Sequence, residues 1–211
     1  MYNERLLRLL AETQIPKVFL DTSSLVSPDE LNGDLLLMES RNSVRNITAH
    51  LLEKGRTLPG FMGDIGYAQS NRERYEGFCQ ALMDAGKTPN PSLCLTTPLG
   101  IDSYCEEIDS FLSSLSRMPD AFVCASDYVA CILMQLLEKR GLRVPEDVAV
   151  SGFDNNIEDL LAENLTTVQV FNEELGSRLA LQILYRIKYP HTPHEVTYLE
   201  SKVLYRASTG D

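Results

Sequence analysis

MPDAFVCASDYVACILMQLLEKRGLRVPEDVAVSGFDNN, residues Met118–Asn156, reads as one complete supersecondary unit. Ala121–Cys124 is a short apolar run that ends in Ser126-Asp127. Tyr128–Arg140 is a longer apolar-rich segment closed by Gly141. Val148–Phe153 is a second apolar run, and it ends in Asp154-Asn155. Strand, helix and strand in this length make a βαβ unit, so the two strands run parallel through a right-handed crossover. Each strand delivers an aspartate at its C-terminal end. Open parallel sheets bind their ligands at that edge.

Outward from this unit, the same alternation continues. Toward the N-terminus, Ile101, Tyr104, Cys105, Ile108, Phe111, Leu112 and Leu115 keep helical spacing, which predicts a helix over 102–117. Ser92–Thr96 reads as a strand. Ser70-Asn71-Arg72-Glu73 reads as an S-x-x-E capping box opening a helix that Gly86 closes. Arg72 and Arg74 fall within the first turn or so of that helix, where an arginine fork can face a ligand cleft. Phe61-Met62-Gly63 is a short strand with Pro59 just before it. Val44, Ile47, Leu51 and Leu52 mark a helix stopped at Lys54-Gly55. Residues 22–38 read as a loop, with Leu35–Met38 a strand or a bend. Lys17–Leu20 is a strand ending in Asp21, and Leu6, Leu7, Leu9 and Leu10 mark a short amphipathic helix before it.

Toward the C-terminus, Asn156–Ala162 reads as a short helix and Leu165–Val170 as an extended crossing. Asn172 reads as the N-cap of a helix with Glu173 and Glu174 in its first turn. Leu175, Leu179, Ile183, Leu184 and Ile187 are expected to line one face of it, up to Pro190. Val196–Tyr198 and Lys202–Tyr205 read as terminal strands. Alternating strands and helices predict an α/β fold with a mainly parallel sheet.

With 211 residues the chain can bury one large core or two small ones. Its net charge of −11 argues against binding nucleic acid by itself, because phosphate contacts need Lys/Arg patches. It fits a neutral or polyhydroxylated ligand. The apolar runs are too short to span a bilayer, and MYNERLLRLLAET lacks the design of a signal peptide. The odd count of five cysteines, several among apolar neighbours, suggests a reducing cytosol without a disulfide framework.

Asp21, Asp127 and Asp154, each just past a strand, form the main constellation, with Arg74 at a fourth junction. Any one aspartate there could be an N-cap. Together they suggest a shared polar cleft, because carboxylates accept paired bonds from vicinal hydroxyls and Arg donates them. Phosphotransfer on Asp21 is the enzymatic alternative, but Asp21-Thr22-Ser23 lacks a second acidic residue two positions on. There is no G-x-S-x-G for a serine hydrolase, no phosphate-cradling loop and no dinucleotide fingerprint. His191-Thr192-Pro193-His194 has a metal-like gap but reads as a solvated loop. No metal, no cofactor and no catalytic residue are expected.

PDAFVCASDYVA, LEKRGLRVPEDVAVSGFDN, IPKVFLD, SNRERYEGFCQALMDAG, LTTVQVFNEELGSRLALQIL and KVLYRAST resemble the effector-binding domain of LacI-type transcriptional regulators. The resemblance runs from about Ile15 to Thr209. It implies a periplasmic-binding-protein-like fold of two Rossmann-type lobes joined by three crossovers, with a sugar or nucleobase between them. It carries effector contacts onto Asp21, Arg74 and Asp154, and places Ser126 and Asp127 at a further contact pair. It implies a cytoplasmic, non-enzymatic sensor that tunes operator affinity of a helix-turn-helix headpiece outside this chain, and a homodimer in the full-length protein. A sugar-binding protein of a transport system shares the architecture and is the alternative. Against the family pattern the N-terminal lobe is expected to be incomplete, with residues 1–27 and 172–190 as its remnant. Residues 28–171 and 191–211 are expected to form the C-terminal lobe. Arg56 stands where a His is usual, Leu99 where an aromatic often covers the ligand, and Val170 where Gln is common. These departures leave the ligand open.

Overall fold

The computed structural model describes residues 3–100, 103–156 and 162–211. Its fold is α/β and is built on two parallel sheets. With elements numbered in chain order, the first sheet holds β1 (Val18–Leu20), β2 (Asp34–Met38) and β8 (Val196–Leu199), in the order β1-β2-β8. The second holds β3 (Pro59–Met62), β4 (Cys94–Leu95), β5 (Ala121–Cys124) and β6 (Ala149–Ser151), in the order β4-β3-β5-β6. β7 (Thr167–Gln169) and β9 (Lys202–Leu204) make an antiparallel pair. Bridges Ser151 to Thr166 and Asp154 to Gln169 tie β7 to the end of β6. The chain crosses between the two sheets after β2, after β7 and after β8.

The expected βαβ unit is present. β5 and β6 are parallel neighbours, with α5 (Asp127–Lys139) between them in sequence. Both faces of the second sheet are covered, so its strands are apolar at every position but Ser151 rather than alternating. Phe61, Ala121, Val123 and Ala149 pack with Val44, Ile47 and Leu51 of α2 (Arg41–Glu53) and Phe78 and Leu82 of α3 (Gln69–Asp84). Met62, Phe122, Cys124 and Val150 pack with α5 and with Ile108 and Leu112 of α4 (Tyr104–Ser114). α2 and α3 approach closely because Gly77 has no side chain. A Cβ there would meet the Arg41 carbonyl oxygen at 2.1 Å. Pro59 is tolerated as the first residue of β3, where its missing N–H does least harm.

In the first sheet, α1 (Glu4–Ala11) covers Phe19, Leu35 and Leu37 with Leu7, and α6 (Asn172–Lys188) covers Leu36 and Met38 with Leu175. The expected lobe division put 28–171 and 191–211 together, but hydrogen bonding joins β2 and β8 to β1. Leu35–Met38 is thus the central strand of a sheet, buried at every position.

Three local expectations need correction. The first concerns the helix expected to be capped by Ser70, which begins two residues earlier, at Gln69, with Ala68 as N-cap and no side-chain cap. Ser70 and Glu73 are occupied elsewhere. Ser70 Oγ donates to Asp21 Oδ2 at 2.6 Å, and Glu73 Oε1 accepts from Tyr198 OH at 2.8 Å. The second concerns Asn172, which is the first helical residue after the N-cap Phe171. The third concerns the inner face of α6. It is Leu175, Leu179, Gln182 and Arg186, while Leu184 and Ile187 are 62% and 58% exposed. The cause is Asp34 on β2, only 1% exposed, which needs neutralising partners. Gln182 Nε2 and Arg186 Nε reach Asp34 Oδ2 at 2.9 and 3.0 Å, and the Glu195 N–H reaches Oδ1 at 2.9 Å. Burial alone would raise the Asp34 carboxyl, but the bonds from Arg186, Gln182 and Glu195 outweigh it and its pKa is lowered. The helix expected over 156–162 falls mainly outside the described residues, as does residue 102 at the start of the one expected over 102–117. Among the described residues, no helix is long and apolar enough to cross a membrane.

Candidate functional site

Strand ends build the site. β3 runs into Gly63-Asp64, β5 into Ala125-Ser126, and β6 through Gly152-Phe153 into Asp154. Because these strands are parallel, all three ends emerge on one edge of the sheet. α3 starts beside them and brings Ser70, Asn71 and Arg74 to the same edge. The residues enclose a cavity of about 310 Å3, closed on the far side by Tyr67, Leu99 and Tyr104.

Arg74 and Asp154 are the charged centre. The Arg74 guanidinium lies 3.6 Å from the centroid of the Phe153 ring, a cation–π contact with a fully buried aromatic. It donates to the Ala125 carbonyl, which anchors it to the end of β5. Its Nη2 is 3.6 Å from Asp154 Oδ1. Burial raises the Asp154 carboxyl and the Arg74 charge opposes the rise. Asp154 sits at φ +114°, a conformation that L residues rarely adopt and that tends to gather at ligand sites. The surrounding structure enforces it. The Asp154 N–H donates to the Val168 carbonyl at 3.0 Å, and Asn155 is held by Gln169 and by Arg206.

Of the five residues singled out in the sequence, the structure brings Arg74, Ser126 and Asp154 to the cavity wall. Ser126 is also the N-cap of α5, accepting from the Val129 N–H at 3.3 Å. Asp21 and Asp127 lie one layer behind. Asp21, at φ +56°, accepts from its neighbour Thr22 N–H at 2.7 Å and from Ser70 Oγ, so it positions the start of α3. Asp127 is 1% exposed and faces away from the cavity, toward the crossover. Thr167 Oγ1 donates to its Oδ1 at 2.6 Å and the Asn155 N–H to its Oδ2 at 2.7 Å. Burial is the main reason its carboxyl is pushed up to about 6. The nearby Asp154 adds to the rise, while the bonds from Thr167 and Asn155 and the charge of Arg206 oppose it.

Asp64, Asn71, Tyr67 and Tyr104 were not singled out in the sequence. For two of them a signal existed. Asp64 follows the strand Phe61–Gly63 just as Asp21, Asp127 and Asp154 follow theirs. Asn71 lies one helical turn before Arg74. Nothing in the sequence marked the tyrosines, because only the fold brings Tyr67 and Tyr104, 37 positions apart, to one cavity. The wall so assembled offers a cation, carboxylates, an amide, hydroxyls and aromatic faces. That is equipment for holding a polar ring by many hydrogen bonds, without a nucleophile–base pair. Among the described residues, no group of three or more His, Cys, Asp or Glu could hold a metal ion.

A family model described as periplasmic binding protein-like domain matches residues 48–209. The chain is 30% identical, over 209 residues, to the HTH-type transcriptional repressor PurR of Aliivibrio fischeri, covering 98% of this chain and 61% of that protein. It thus spans about three fifths of the length of the curated relatives it matches. Among solved structures, a protein from Sanguibacter keddieii assigned to the LacI family of transcriptional regulators superposes with a TM-score of 0.79 at 27% identity. That superposition covers 93% of this chain and 72% of the other. A LacI-family regulator from Enterococcus faecium with bound ribose shares the fold, with a TM-score of 0.71 at 23% identity, covering 95% and 82%. The relatives are transcriptional regulators whose effector-binding domain resembles this chain.

Proposed function

The chain belongs to the periplasmic binding protein-like family, and on that footing we propose that it is the ligand-sensing part of a LacI-type transcriptional regulator. The cavity takes a sugar-like ring. The Arg74–Asp154 pair carries this reading: a donor fork and a carboxylate, 3.6 Å apart, at the C-terminal edge of a parallel sheet. Vicinal hydroxyls can donate to Asp154 and accept from Arg74 at once. The ribose-bound neighbour is a reason to try pentoses and hexoses first.

In this reading the lobes follow the sheets. β1, β2 and β8 with α1 and α6 form one lobe, and β3–β6 with α2–α5 form the other. A ligand acts by binding one arrangement of the lobes more tightly than another. The difference is passed to the operator affinity of a DNA-binding headpiece in a longer, dimeric, cytoplasmic protein. No bond of the ligand is made or broken, so the chain is a sensor and not an enzyme.

A thermal-melt screen against free pentoses, hexoses and nucleosides tests the proposal. A ligand that binds only the folded state adds about 2.7 kcal/mol at a hundredfold excess over its Kd. The expected result is a raised midpoint with at least one ring compound, lost in Arg74→Ala and in Asp154→Ala. A shift that survives both substitutions, or no shift across the screen, contradicts it.

A further inference from the structure

Among the described residues the cavity wall carries more negative than positive charge, and the excess has a definite source. The Arg74 charge is already matched: its guanidinium stacks on Phe153, donates to the Ala125 carbonyl and faces Asp154. Asp154 therefore balances Arg74, and Asp64 is left over. The Asp64 carboxylate is held in place by its own turn. Its Oδ1 accepts the Gly66 N–H at 2.8 Å and the Tyr67 N–H at 3.1 Å. No hydrogen bond falls on its Oδ2, and no Lys, Arg or His pairs with it among the described residues. The Asp64 charge reaches Tyr104, whose phenol is raised by burial first, then by Tyr67 and Asp64. The remaining wall is uncharged, with two aromatic rings beside the hydroxyls of Ser70 and Ser126 and the amide of Asn71. Tyr67 and Tyr104 both line it, and Tyr104 is fixed edge-on against Tyr128 with ring centroids 5.5 Å apart. Aromatic faces favour C–H edges and cations and offer nothing to an anion.

We infer that Asp64 makes this cavity selective for an uncharged or amine-bearing ring and excludes the phosphate ester of the same ring. The inference rests on the ligand-sensing reading and narrows it. A phosphate needs a cation cluster or a row of N–H donors. Among the described residues this wall has one guanidinium, already balanced, and the N–H groups of Gly66 and Tyr67 are taken up by Asp64. Like charges brought together in a partly enclosed site weaken binding steeply. The ring hydroxyl or amine nearest Asp64 instead finds an unused acceptor in Oδ2.

The test is a calorimetric titration of the whole chain with matched sets: ribose and ribose 5-phosphate; glucose, glucosamine and glucose 6-phosphate; adenosine and its 5′-monophosphate. The expected result is binding by the free or amino member of at least one set, with its phosphate ester about a hundredfold weaker. Raising the salt narrows that gap, because screening weakens the repulsion. Asp64→Asn keeps an oxygen for the Gly66 and Tyr67 N–H groups and lowers the ester-to-free Kd ratio at least tenfold. An ester that binds as tightly as its parent overturns the inference while leaving the sensing reading intact. So does a ratio that neither salt nor Asp64→Asn changes. If Asp64→Asn fails to fold, the salt series on the unmodified chain decides alone. If no member of any set binds, the sensing reading is overturned and the inference falls with it.

Discussion

Asp127 is a carboxylate with 1% exposure, held between Thr167 and Asn155. Its position follows from the missing side chain at Gly152, where a Cβ would meet Asp127 Oδ1 at 2.2 Å. Burial favours the protonated acid, and its pKa of about 6 lies above the ordinary value of 3.8. In the native state the proton is therefore held where the unfolded chain has already lost it. The stability this gives is fully present below about pH 4 and is lost as the pH rises through about 6. It is worth about 3 kcal/mol at most. Asp154 is shifted the same way and adds to the trend. The unfolding free energy from urea titrations should fall between pH 4.5 and pH 7, and Asp127→Asn should flatten that fall. Equal slopes in the two proteins would refute the assignment. Asp127 also marks what the sequence could convey at this scale. Its place at a strand end was legible in Ser126-Asp127 and Gly152-Phe153-Asp154. Its turn away from the cavity was not, because its partner Thr167 is 40 residues away.

At the scale of elements, the βαβ unit and the helices packed on both faces of the second sheet were legible, because short apolar runs and 3.6-residue spacing specify them locally. β2 was legible only as a strand or a bend, and of the inner face of α6 only Leu175 and Leu179 were legible, for one reason. Asp34 opens a fully buried strand, and Gln182 and Arg186 turn α6 inward to meet it. A hydrophobic pattern cannot announce a polar anchor 152 residues away. Arg186→Met should leave Asp34 buried without its cation and cost roughly 3–5 kcal/mol in chemical denaturation. Adding Asp34→Asn to it should recover much of that loss. A cost below about 1 kcal/mol would show that the pair is not structural. The packing of α2 on α3 sets two effects against each other at Gly77. Helix propensity favours alanine there by about 1 kcal/mol. A Cβ at 2.1 Å from the Arg41 oxygen forces the helices apart, typically at about 1–3 kcal/mol. Gly77→Ala is therefore predicted to destabilise the protein, and a raised melting midpoint would contradict that.

Across the whole molecule, polar contacts join the two sheets beside the cavity. Ser70 Oγ donates to Asp21, Tyr198 OH to Glu73, and Ser24 Oγ to the Gly66 carbonyl at 3.1 Å. The chain crosses three times between the sheets, and β7, which precedes one crossing, is locked to the end of β6 through Asp127 and the Asp154–Gln169 bridge. A ligand on Asp154 therefore touches the residue that also fixes the crossover. Ser70→Ala and Tyr198→Phe together should loosen the lobes, seen as a larger radius of gyration in solution scattering. An unchanged radius would mean that the backbone crossings alone set the arrangement. The most direct test of the cavity as a sensor is hydrogen–deuterium exchange with and without a saturating ring ligand. Slower exchange is predicted at 63–75, 124–129 and 153–156, and also at 167–171, which the ligand does not touch. Protection confined to the cavity wall, with 167–171 unchanged, would make this a binding site without a switch. Protection elsewhere in the chain would remove the cavity from the account altogether.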